Sequence, residues 1–202
     1  MGQSLDNGSQ LISSYRTTYE RVQNLLDKGY FDLALTEWKK EVDICSQIFS
    51  LEDKEFAETN MQGVECFANV GNYEAAIHLA GVVELSWKQG NYGVPLRSVI
   101  HLYEEVGNCE YKLGKYTDAI ESASIVVDLF KDNLGKDNWF YATALETLAT
   151  YYIADGQIQL GIKTQKKVVE KMQATYSIME EGQKEALFRA KENLRKYEDM
   201  GR

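Results

Sequence analysis

GNYEAAI occupies positions 71–77 and GKYTDAI positions 114–120. The shared frame is a glycine, an aromatic residue two places on, and an alanine three places after that. Nothing in it titrates near neutrality or attacks carbon or phosphorus. A glycine can end a helix in a left-handed conformation without a Cβ penalty, and a small residue soon afterwards lets two helices approach closely. The stretch therefore reads as a corner, followed by the buried stripe of a helix.

The corner is written four times. GYFDLAL at 29–35 and GQIQLGI at 156–162 are weaker copies, so the leading residues are Gly29, Gly71, Gly114 and Gly156, at steps of 42, 43 and 42. Self-similarity at a fixed period of this size is the mark of a stacked repeat architecture. The small residue five places on is Ala34, Ala76, Ala119 and Gly161 in turn.

Both sides of each corner are helical in period. After Gly114 the apolar set is Tyr116, Ala119, Ile120, Ala123, Val126, Val127 and Phe130; after Gly29 it is Phe31, Ala34, Leu35, Trp38, Val42, Cys45 and Phe49. Steps of three and four place such residues on one helical face. Before Gly156, Leu145, Leu148, Ala149 and Tyr152 form a stripe of the same kind. The single proline, Pro95, stands where a helix would begin, and its missing N–H costs nothing in a first turn.

These features resemble the tetratricopeptide repeat family. Gly71–Tyr73–Ala76 and Gly114–Tyr116–Ala119 match its corner, and Leu148 and Tyr152 match the residues eight and four places before it. The family's common repeat has 34 residues. The longer period, and LGKDNWFYATALETLATYYIADG at 134–156 in particular, resembles the 42-residue variety of kinesin light chains and many bacterial signalling proteins. The resemblance implies an all-α, right-handed α-solenoid of about four helix-turn-helix repeats plus a C-terminal helix. The expected organisation is a flexible N-terminus at 1–11, repeats at about 12–50, 54–89, 95–134 and 138–179, and a helix at 181–202. That last helix is either a polar cap or the first half of a fifth repeat.

Bulk composition narrows the function classes. The 202 residues include 31 acidic and 22 basic side chains, a net charge of −9. Nucleic-acid binders and polybasic membrane contacts normally need a cationic surface. Three widely separated cysteines fit reduced thiols rather than a disulfide framework. MGQSLDNGSQ has no basic start or apolar stretch, so the expectation is a cytoplasmic protein.

No catalytic signature is found. The two imidazoles, His78 and His101, stand apart from any nucleophile motif, and no GxSxG, HExxH or CxxC occurs. Cys66 and Cys109 share one repeat position, which reads as core. The reading is a non-enzyme with no cofactor and no metal.

In the family, the first helix of each repeat lines a concave groove. The positions that would face it are Glu58, Met61, Glu65 and Asn69 in repeat 2, and His101, Glu104, Asn108 and Lys112 in repeat 3. In repeat 4 they are Thr143, Glu146, Thr150 and Ala154, and in repeat 1 Arg16, Tyr19, Gln23 and Asp27. Glu58, Glu65, Glu104 and Glu146 would make that groove acidic and steer a basic or polar peptide towards it. Asn69 and Asn108 could hydrogen-bond a ligand backbone. The expected function is a protein- or peptide-interaction module. Two alternatives stand beside it, a regulatory fragment of a larger signalling enzyme or transcription regulator, and a self-associating scaffold; homo-oligomerisation is compatible with each.

Overall fold

The computed structural model describes residues 2–174 and 180–202. Among these the chain forms nine helices and no strand: α1 (Gly2–Asp27), α2 (Phe31–Ile48), α3 (Lys54–Asn69), α4 (Tyr73–Gln89), α5 (Leu96–Lys112), α6 (Tyr116–Leu134), α7 (Trp139–Ala154), α8 (Ile158–Ala174) and α9 (Glu181–Met200). The first helix starts at Gly2, inside the stretch 1–11 that the sequence assigns to a flexible terminus; Met1 and positions 175–179, the end of the fourth repeat as read from the sequence, lie outside the described residues.

Each of the four corners closes with the same three backbone bonds. The amide after the glycine reaches back five residues: Tyr30 to the Leu25 carbonyl, Asn72 to Phe67, Lys115 to Glu110 and Gln157 to Tyr152, all at 2.9 Å. The glycine N–H itself donates three residues back, to Leu26, Ala68, Tyr111 and Ile153. This pattern satisfies the orphan carbonyls of the ending helix, and it needs a left-handed residue at the glycine. The four glycines have φ of +74°, +82°, +75° and +77°. The residue after each glycine then accepts the first bond of the next helix, from Ala34, Ala76, Ala119 and Gly161. A fifth left-handed glycine, Gly135 at φ +83°, ends α6; it stands outside the 42-residue step.

The small residue five places on is where the paired helices meet. Ala34, Ala76 and Ala119 are fully buried. At Gly161 a Cβ would come within 2.5 Å of the Ile153 side chain and 3.3 Å of the Ala149 carbonyl oxygen. An alanine there would have to displace the Ile153 side chain and crowd the Ala149 carbonyl.

Two compact units divide the chain within α5, Met1–Cys109 and Glu110–Arg202. In the first, Val22, Leu26, Ala34, Trp38 and Cys66 form one buried cluster. Val64, Ala76, Ala80, Val83, Leu102 and Cys109 belong to a second. All three cysteines are buried and none is bridged; burial pushes the Cys66 thiol up to about 12. In the second unit, α9 packs on α8, and Tyr197 joins Ala149 and Ile162 in a buried cluster. The end of α9 is not a fifth corner of the same kind, because Gly201 has φ −88°. A Cβ on Gly201 would lie 2.9 Å from the Ile162 side chain, so close approach accounts for this glycine.

Candidate functional site

The first-helix positions of the first unit lie on α1, α3 and, as far as Cys109, α5. Glu65 accepts a hydrogen bond across α3 and α5, with its Oε1 2.7 Å from His101 Nε2. That bond is the main cause raising the His101 pKa above its ordinary value; desolvation opposes it, and Glu65, Glu105 and Glu104 add attraction. Glu105 is half-buried, and desolvation raises its carboxyl while His101 pulls it back. Glu104 and Asn108 are exposed on the same helix. His101 thus sits among three carboxylates of the docking face read from the sequence and its flank.

The other positions of that face are partly engaged. Glu58 pairs with Lys54 at 2.7 Å. Asn69 is exposed, and its amide donates to the Glu65 carbonyl one turn back. Met61 is half-buried and packs against the core beneath α3 and α4, so only part of it faces outwards. Lys112 is exposed at the end of α5, within the second unit. His78 is exposed on α4.

Glu146 and Thr150, also in the second unit, meet α9 rather than open solvent. Asn193 Nδ2 lies 3.4 Å from Glu146 Oε1, and the Tyr197 hydroxyl lies 3.4 Å from Thr150 Oγ1. Desolvation raises the Glu146 carboxyl, and the Asn193 hydrogen bond opposes it. These two residues help hold the terminal helix.

A polar cluster that the sequence reading passes over lies under α1. Glu41 is fully buried. Its Oε1 accepts from Thr59 Oγ1 at 2.9 Å, while its Oε2 has no partner among the described residues. Thr59 also sits 3.1 Å from the Tyr15 hydroxyl, and its carbonyl accepts from Trp38 Nε1 at 2.8 Å. One threonine therefore ties α1, α2 and α3 together. Burial raises the Glu41 carboxyl to about 7, with the Thr59 bond opposing. Tyr15 lines a pocket of about 180 Å³ with Arg16, Tyr19, Glu20, Glu55 and Glu58. The signal was in the spacing: Glu41 falls three after Trp38 and four before Cys45, on the buried stripe of α2.

Among the described residues no helix is long and apolar enough to cross a membrane. No three His, Cys, Asp or Glu side chains among them converge as a metal site requires.

This arrangement of corner-linked helix pairs defines the fold as that of the tetratricopeptide-like helical repeat proteins. Among solved structures, a Podosopora anserina protein of nearly identical TPR-like repeats is similar over 94% of this chain and 97% of its own, with a TM-score of 0.68 and 17% identity. BtubC (BKLC) from P. vanneervenii is similar over 98% of this chain and 87% of its own, at TM-score 0.66 and 12% identity. A MamA RS-1 double mutant covers 92% of this chain and 97% of its own, at TM-score 0.56 and 18% identity. No family model matches the sequence. No curated protein matches it either.

Proposed function

We propose that the chain is a protein-interaction module that docks a basic or polar peptide segment on the first-helix face of its first unit. The observation carrying this reading is the set of carboxylates on α3 and α5, with Glu65, Glu104 and Glu105 around His101 and Glu58 two turns before Glu65 on α3. Asn69 and Asn108 are exposed in the same register and offer amide donors and acceptors to a peptide backbone. The first unit holds 16 acidic and 8 basic residues, whereas the second holds 15 and 14. Nearly all the net negative charge therefore belongs to the unit that carries this face. Such a field speeds encounter with cationic partners and weakens with salt.

Selection of a displayed peptide library on the intact chain tests this. Lys- and Arg-rich peptides are expected to be enriched, and the Glu65→Lys/Glu104→Lys double variant is expected to lose them while keeping its helical content. Enrichment without basic residues, or equal binding by the double variant, would remove the assignment to this face.

A further inference from the structure

The second unit carries a cleft of opposite character. It measures about 340 Å³ and lies between α6 and α8 over α7. Its floor is Tyr141, Leu145, Leu148 and Tyr152, of which the first three show only a thin strip to the cleft, at 7%, 5% and 7% exposed. These positions step by four, three and four, so they run along one face of α7 for about 16 Å. Val127 and Leu160 form apolar edges, and Leu160 is 44% exposed.

The rim is cationic. Lys131 and Lys136 stand on one side, with Lys163 and Lys167 on the other, against the single carboxylate of Asp128. Lys131 is paired with Asp128 at 2.6 Å. Elsewhere Lys40, Lys54, Lys166, Lys171 and Lys184 take carboxylate partners, while Lys28, Lys39, Lys88, Lys112, Lys115, Lys191 and Lys196 form no ion pair among the described residues, so it is the clustering at one cleft that sets its lysines apart. Lys136, Lys163 and Lys167 are exposed, and no ion pair is formed by them among the described residues. In a chain with more acids than bases, three unpaired lysines around one apolar floor concentrate positive potential at that cleft.

We infer that this cleft is a second docking surface, and that its occupant is an acidic amphipathic helix of a partner protein. A helix laid between α6 and α8 would place apolar side chains on the α7 floor at i, i+4, i+7 and i+11, the helix-in-groove mode of recognition. Its acidic flanks would meet Lys136 on one side and Lys163 and Lys167 on the other. The lysine stems would cover the edges of the apolar contact while their ammonium groups remain wet. This surface lies wholly in the second unit and does not depend on the acidic face proposed above.

The test uses a labelled synthetic peptide of about 15 residues, some four helical turns. It carries leucine at i, i+4, i+7 and i+11 and glutamate on its flanks, and fluorescence anisotropy follows its binding to the intact chain. Saturable binding that weakens with salt is expected, and Lys163→Glu/Lys167→Glu should lower affinity roughly tenfold or more. Both lysines are exposed, so circular dichroism of that variant should match wild type. Glu65→Lys/Glu104→Lys should leave binding of this peptide unchanged, which separates failure here from failure of the acidic face. The proposal is overturned by absent binding or by equal affinity for the folded lysine variant. It is also overturned if a peptide with lysine in place of glutamate binds as well. Concentration-dependent self-association lost in the lysine variant would replace the partner helix with a second copy of this chain.

Discussion

Glu65 Oε1 and His101 Nε2 lie 2.7 Å apart, joining α3 to α5 on the proposed acidic face. The bond makes the face responsive to pH. Glu65 holds the imidazole pKa above its ordinary 6.5. A group whose folded pKa is raised contributes stability that is fully present below the unfolded pKa and lost as pH rises through the folded one. The pair is 39% and 23% exposed, so its contribution is screened and amounts to a few tenths of a kcal/mol, up to about 1. NMR titration should find the His101 resonance moving at a higher midpoint in wild type than in Glu65→Gln, with His101→Asn assigning the signal. Identical midpoints would show that the carboxylate does not hold the imidazole.

Gly71 separates steric room from backbone strain. A Cβ there would meet nothing within 4 Å, yet φ is +82°. Gly71→Val should therefore destabilise by about 1–2 kcal/mol or more, entirely through the left-handed backbone. Gly81, exposed within α4, also has open space and no positive φ. Gly81→Ala should stabilise by about 0.5–1 kcal/mol through helix propensity. Thermal melts shifting the same way for both variants would contradict the corner geometry.

The corners are legible in sequence because the backbone demands them: a positive φ needs glycine, and a close helix approach needs alanine or less. Those demands leave letters at fixed steps. Gly135 escapes the reading because it ends α6 outside the 42-residue step. Glu41 escapes because a glutamate is ordinarily taken to face water, and only its place between Trp38 and Cys45 on the α2 stripe says otherwise. Repeat counting places Glu146 and Thr150 among the groove positions because it says which side of a helix faces outwards. It cannot say that Asn193 and Tyr197 of α9 will reach across to them.

Gly63 sets two ordinary effects against each other. It lies inside α3, where alanine is preferred by about 1 kcal/mol. Yet a Cβ would fall 2.4 Å from the Trp38 ring and 2.6 Å from the Leu79 side chain. Trp38 cannot swing aside easily, because its indole N–H is held at 2.8 Å by the Thr59 carbonyl. Overpacking of this kind typically costs about 1–3 kcal/mol, so Gly63→Ala should lower stability despite the gain in propensity. Chemical denaturation of the variant checks the sign, and a higher midpoint would mean that the α2–α3 contact is looser than described.

Glu41 gives the whole chain a pH dependence that one substitution should remove. Its carboxyl is raised to about 7 from 4.5, with burial the largest cause and the Thr59 hydrogen bond working against it. Facing it are the Tyr15 and Tyr19 hydroxyls of α1, the Cys45 thiol of its own helix and the Cys66 thiol of α3; none brings a positive charge to offset ionisation. Between pH 4.5 and 7 the folded chain holds a proton that the unfolded chain has released, so stability falls as pH rises through this window. Glu41→Gln keeps the shape and a hydrogen-bonding group beside Thr59 but cannot ionise. Wild type should lose on the order of 1–3 kcal/mol more than Glu41→Gln between pH 5 and pH 8. The difference isolates this carboxyl, because the His101 contribution is common to both chains. Parallel stability–pH curves would mean that Glu41 reaches water or a cation in solution. Thr59→Val is the companion variant: it strips the one hydrogen bond to the carboxyl among the described residues and should extend the loss of stability to higher pH rather than abolish it.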